Sequence, residues 1–442
     1  MHQGTLLERE FKFDNHTCSL PPAESLFSDE TYVLSELVNT VTNLNTLRAK
    51  VKTFDKSDWQ RHLVSTDLTG RLLGHIKAKC RPEMLTPAWL KVFELFSAYT
   101  LVPTSACTEG ALRSLHLCES GANVSALNHF LKTNNVGVTW EWIAHRFTTN
   151  PLKNDSSEDK PAGGAEALER FVKNTHEHWF TGVNGPPDPR KRETVEAIWQ
   201  LAKEKSLFQV VTADGHLDGD VAEMTECEQA MAQLMLSQVV AALGALAVGG
   251  SFVLRAGTFV EHSSVGVLYL LNGTFAEVTI ARPCSAASCQ SEVFVICTGF
   301  KGIGQAHLDR LLQAVGHEPH AKEGVALAMM PKSFLSPAWL SQIRCCSDLF
   351  ARLQSCMLER EIRLFNKHLM LPEKQEIFHM RDKAVLHWTV RFGCRPLNSV
   401  HDRITRDGLS AGAMSSSQAS AGGRIWNSLR GEYRVCSSNL RC

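Results

Sequence analysis

The run from Ala230 to Leu254, AMAQLMLSQVVAALGALAVGGSFVL, holds 25 residues without a charge, and it limits the possible folds more than any other stretch. A membrane-spanning helix needs only ~20 apolar residues, so length alone allows a span. Its composition argues otherwise. Gln233, Ser237 and Gln238 interrupt the run, and Gly249-Gly250 leads into the β-rich SFVLR. A helix buried on all sides, a tight turn and a buried strand account for that order of residues. A helix of this kind has to be covered by a sheet and by further elements, so the run predicts a layered α/β fold with no membrane partner.

The surrounding segments repeat this alternation. SLHLCE reads as a strand ending at Ser120-Gly121 ahead of the helical NVSALNHFLKTN, and VTWEWIAHRF reads as a second strand. FQVVTADG is a buried strand that ends at Asp214, and SFVLR ends at Arg255. EVTIAR and SEVFVICTGF form a closing pair around the loop PCSAASCQ, with Glu292 opening the last strand. Strands alternating with helices predict a mainly parallel sheet whose ligands sit at the carboxyl ends of the strands. Residues 1–105 read as a helical N-terminal region with a possible RNA-binding flank, and Pro87 is placed to start a helix. Residues 106–305 form the α/β domain, 306–397 a helical extension, and 398–442, with SAGAMSSSQASAGG, a low-complexity flexible tail. The polar stretch NPLKNDSSEDKPAGGAE reads as a loop inside the α/β domain.

Charge and motifs exclude several functions. Lys+Arg 46 against Asp+Glu 46 leaves no net charge, which argues against a tail-driven nucleic-acid binder but permits a local basic groove. Lys77, Lys79 and Arg81 form one basic cluster and Arg190-Lys191-Arg192 another. The 14 cysteines include no C-x-x-C; they read as reduced thiols of the cytosol or nucleus, and no metal is expected. A P-loop and a G-x-S-x-G elbow are both missing. GFKGIG has the wrong spacing for a dinucleotide fingerprint. What remains is a set of polar residues at strand ends: Glu119, Gly121, Asp214, Arg255 and Glu292.

LRSLHLCE, SALNHFLK, WEWIA, VVTADG, GGSFVLR, EHSS, LYLLN and SEVFV followed by FKG, then PKSFL, IRCC, EIRLF and MRDKAV, occur in one order from about residue 60 to about 395. In that order they resemble the cap-specific mRNA nucleoside-2′-O-methyltransferase 2 family of FtsJ-like enzymes. The resemblance implies a Rossmann-like class I methyltransferase sheet flanked by helical regions, with S-adenosyl-L-methionine as cofactor. The implied substrate is capped mRNA, methylated on the ribose 2′-hydroxyl of the second transcribed nucleotide, in nucleus and cytoplasm. Of the family's Lys-Asp-Lys-Glu tetrad, Lys91, Asp214 and Glu292 match three positions. Arg255 stands where the second lysine is expected. Glu119, Gly121 and Trp140 match cofactor positions, although LCESGANV is one residue shorter than the family's loop and lacks its proline. Lys77, Lys79, Arg81, Arg190, Lys191 and Arg192 are the candidate RNA contacts. The family's second, catalytically silent domain has no counterpart expected before residue 442. An arginine is a poor base, so the alternative is a weakened or inactive member that acts as a capped-RNA-binding scaffold.

Overall fold

Burial is nearly continuous along the central strands, so both faces of the sheet are covered. The computed structural model describes residues 9–14, 18–147, 165–181, 187–216, 224–287, 289–316, 327–367, 370–399 and 402–405. Among them, eight strands form one sheet: β1 Arg9–Lys12, β2 Ala111–Leu117, β3 Thr139–His145, β4 Trp179–Phe180, β5 Phe208–Ala213, β6 Leu246–Ala256, β7 Phe275–Arg282 and β8 Val293–Phe300. Their order is β1-β7-β8-β6-β5-β2-β3-β4. From β4 through β6 the neighbours run parallel. β8 is antiparallel to both β6 and β7, and β1 adds antiparallel to β7. The chain leaves β2 towards β3 on one side and returns through β5 and β6 on the other. That reversal opens a crevice at the carboxyl ends of β2 and β5, where ligands of open α/β sheets bind.

The central strands β5, β6 and β8 share their residues between two cores. Val210, Val253, Phe294 and Ile296 pack with Trp89, Phe93, Leu127 and Trp388. Val211, Leu254 and Val295 pack on the other side with Val239, Leu268 and Trp339. The uncharged run forms most of the helix Met224–Ala245, followed directly by β6. No described helix is long and apolar enough to cross a membrane.

The turn expected at Gly249-Gly250 falls within β6, where its pairing with β5 is irregular. The register to β5 jumps from Phe208↔Leu246 to Val210↔Ser251. Gly249 takes φ +82°, and a Cβ on Gly250 would lie 2.8 Å from the Ala247 carbonyl and 3.0 Å from that of Gln209. Glycine is required there for the positive φ and for the close backbone approach.

Both flanking regions close over this sheet. Thr86 caps the helix Pro87–Ala98 through a bond from the Trp89 N–H, 3.1 Å, with Pro87 at its first position. All residues from Ala88 to Phe96 are buried. The helices Pro337–Lys367 and Leu371–Phe392 supply the fully buried Trp339 and Trp388. Thr405, within the stretch expected to be a flexible tail, is anchored: its N–H and hydroxyl and the N–H of Ile404 all donate to Glu83. The compact unit ends there. Residues 406–442 and the polar stretch from Asn150 to Gly164 lie outside the described residues.

Candidate active site

Four side chains named from the sequence meet at the carboxyl edge of the sheet. Asp214 follows β5, Arg255 is the penultimate residue of β6, Glu292 immediately precedes β8, and Lys91 reaches them from the helix Pro87–Ala98. Lys91 Nζ donates to both carboxylate oxygens of Glu292, at 2.8 and 2.6 Å. Arg255 Nε lies 2.7 Å from Glu292 Oε1. Its Nη1 lies 3.4 Å from Asp214 Oδ1 and 3.0 Å from His216 Nδ1. A guanidinium has only donors, so the His216 ring nitrogen accepts this bond. Burial alone would raise the Glu292 carboxyl, but Arg255, Lys91 and Arg282 outweigh it and hold the group at about 2. Breaking such a pair by removing one partner costs ~3–5 kcal/mol, because a charge is left buried.

Two further residues hold this cluster in place. Arg282, buried at the end of β7, donates to the carbonyls of Gln290, Glu292 and Ala287 at 2.7, 3.0 and 2.5 Å. Glu94, three residues beyond Lys91 on the same helix, accepts from the N–H groups of Cys284 and Ser285 and from the Trp388 indole. The loop from β7 to Glu292 is therefore gripped at both ends. Arg255, His216 and Glu292 line an open cavity of about 390 Å³.

The second group surrounds the turn after β2. Gly121, at φ +87°, precedes the helix Ala122–Thr133. A Cβ there would lie 3.1 Å from Met84 Cε. Glu119 is buried; its Oε1 accepts from the Asn123 N–H at 3.0 Å, while Oε2 has no hydrogen-bond partner. Burial, then repulsion from Asp214, pushes its carboxyl up to about 8 against the pull of backbone N–H groups. Trp140 starts further back along the sheet. It pairs with Leu112 near the amino end of β3, whereas the carboxyl end of β2 pairs with His145. Those positions are five residues, or roughly 17 Å, apart along a strand. Trp140 instead donates to Ser114 Oγ at 2.9 Å and stacks near Trp142. Its ring packs in one cluster with Met84, Val124 and Phe171.

Residues 176–300 match the family model of the FtsJ-like methyltransferase. The cap-specific mRNA (nucleoside-2′-O-)-methyltransferase 2 of Mus musculus is 30% identical over 395 residues, covering 88% of this chain and 50% of the relative. The chain is homologous to the cap methyltransferase 2 family. The Danio rerio relative is 31% identical over 360 residues, covering 80% of this chain and 47% of its own length. That of Drosophila melanogaster is 26% identical over 406 residues, covering 89% and 55%. The chain thus spans about half the length of the curated relatives it matches.

The basic candidates differ in how they are held. Lys77 and Lys79, in the last turn of the helix Leu72–Cys80, and the left-handed Arg81 after it are exposed. Arg190 is bonded through Nε and Nη2 to both oxygens of Asp188, at 3.0 and 2.8 Å. Arg192 pairs with Glu196 at 2.9 Å. Lys191 is exposed at the N-cap of the helix Arg192–Lys205. None of these six is among the described residues lining the cavity beside Arg255. Sequence reasoning passed over His216, Arg282 and Glu94. His216 stands two residues after Asp214, and Glu94 lies about one turn from Lys91, so local spacing could have found both. Arg282 looked like an ordinary strand end.

Proposed function

We propose that the chain transfers a methyl group from S-adenosylmethionine to the ribose 2′-hydroxyl of the second transcribed nucleotide of capped mRNA. The observation that carries this reading is the linked series Lys91, Glu292, Arg255 and Asp214 at the carboxyl edge of the sheet, of which Arg255 and Glu292 line a cavity. The residues present suit the cofactor. Glu119 Oε2, buried and without a hydrogen-bond partner, suits the ammonium of its methionine part, and Gly121 admits a close backbone approach. When bound, the cofactor supplies a sulfonium methyl that the 2′-oxygen takes as the methyl–sulfur bond breaks.

The protein's own residues place the ribose and receive the proton. Arg255 has no lone pair and keeps its proton above pH ~12, so it orients and does not deprotonate. Its Nε is fixed by Glu292, which leaves Nη1 aimed at Asp214 and the cavity. Lys91 directs its donors at Glu292, and Glu292 already faces two cations. Asp214 is the carboxylate of this edge that takes the hydroxyl proton. Proton removal of this kind contributes ~10²–10⁴-fold. Asp214→Asn should therefore lower methyl transfer to a capped oligonucleotide by at least ~10²-fold, with a thermal midpoint close to wild type. Undiminished transfer by the folded variant would remove Asp214 from the role.

A further inference from the structure

The cavity beside Arg255 has a second basic side chain on its wall that belongs to neither basic cluster. Arg48 comes from the helix Thr42–Val51 and lines this cavity together with Arg255, His216 and Glu292. The placement follows from helical spacing. Leu44 is fully buried, and Arg48, four residues on, lies on the same face and is half-buried. Lys52, another four residues and about 6 Å further along the axis, caps the helix and is exposed. From Leu37 to Phe54 the chain has no acidic residue, while Arg48, Lys50 and Lys52 are basic. The first acid after them, Asp55, caps the next helix through the N–H groups of Ser57 and Asp58. Of the cavity's own acids, Glu292 faces Lys91 and Arg255. Glu228 accepts from the N–H groups of Val260 and Glu261 and from Ser264. The basic residues of this helix thus run from Arg48 inside the cavity to Lys52 at the exposed helix end.

We propose that single-stranded RNA leaves the reacting ribose along the helix Thr42–Val51, with Arg48 holding the phosphodiester next to that ribose and Lys52 one further out. This assignment rests on the methyltransferase reading. It also accounts for a sequence with zero net charge engaging a polyanion: the contact is one local stripe and not a basic surface.

The test is binding of a fluorescent capped oligonucleotide to the full chain at several salt concentrations, with methyl transfer followed in parallel. Arg48→Gln with Lys52→Gln should weaken binding severalfold and reduce the salt slope by about 1.4, at ~0.7 for each single-strand phosphate no longer neutralised. Arg48→Lys with Lys52→Arg should retain the slope, because charge and not shape sets it. A neutral methylphosphonate at the phosphodiester beside the target nucleotide should weaken wild type, and the Arg48→Gln variant should be indifferent to it. If that variant responds to the methylphosphonate as strongly as wild type, or the double variant keeps the wild-type slope, the path is wrong although the methyltransferase reading stands. If Arg48→Gln weakens only capped and not uncapped RNA, the cation reads the cap and the assignment to a phosphodiester falls. If wild type neither binds nor methylates capped RNA, the underlying reading fails as well.

Discussion

Glu119 shows how much one residue's surroundings decide. Its carboxyl, pushed up to about 8 by burial and by Asp214, binds a proton in the folded chain at pH values where the unfolded chain has lost it. The raised value means that its contribution to stability is complete below the ordinary carboxyl range and is lost as pH rises through about 8. An ammonium ligand prefers the ionised form, so binding must first remove that proton, at about 1.4 kcal/mol for each pH unit below that value. Calorimetry should show S-adenosylmethionine affinity rising from about pH 6 towards pH 8. It should then fall as an α-amino group, with a pKa of about 7.7–8.0, loses its own charge. Glu119→Gln should flatten the rising limb and weaken binding near pH 8. A wild-type affinity that does not change across that range would place the ammonium elsewhere. Arg255 illustrates the opposite case: its guanidinium contacts Asp214, His216 and Glu292 and keeps its charge, so it does not accept a proton.

At the scale of elements, the loop between β7 and β8 makes the site depend on distant helices. Glu94 ties its start to Trp388 of the helix Leu371–Phe392, and Arg282 ties its end to the Glu292 carbonyl. Glu94→Gln replaces a charged acceptor of three bonds by a neutral one, which should cost ~1–3 kcal/mol in chemical denaturation. The loop carries Glu292, so kcat should fall more than the cofactor affinity does. A variant with lower stability and unchanged kcat would show that the loop's grip has no part in catalysis. Elements also mark what was legible in the sequence. VVTADG and SFVLR announced β5 and β6 because buried apolar runs ending in a polar residue have few other readings. Three things were not legible. REFK is too short and too charged to signal β1, which exists only because β7 offers it an edge. Gly249-Gly250 has the composition of a turn, but that this turn falls inside β6 shows only in the strand's pairing with β5. The position of Trp140 near the amino end of β3 was hidden because alternation gives the face of a strand but not the height along it. The pairing of Lys91 with Glu292 spans 201 residues of sequence. No local spacing contains it, and it came instead from the resemblance.

For the whole molecule, the regions before and after the α/β segment are part of its core. Trp89 and Trp388 cover one face of the sheet and Trp339 the other, all fully buried. Each large side chain buried in this way stabilises the fold by at least the ~1.5–3 kcal/mol of an aliphatic one, and only while its partners are present. A fragment of residues 106–305 should therefore lack a cooperative thermal transition. A fragment that melts cooperatively would show that the flanks are accessories. The same packing brings Lys91, from one flank, into the site, so the fold and the proposed activity rest on one assembly. The most direct test of that activity is transfer of a labelled methyl group from S-adenosylmethionine to a capped oligonucleotide by the full chain, with the modified nucleotide mapped by nuclease digestion. Label on the 2′-oxygen of the second transcribed nucleotide, lost with Asp214→Asn, is the result expected. Binding of capped RNA and of cofactor with no label transferred would contradict it and establish a scaffold that has kept the site without the reaction.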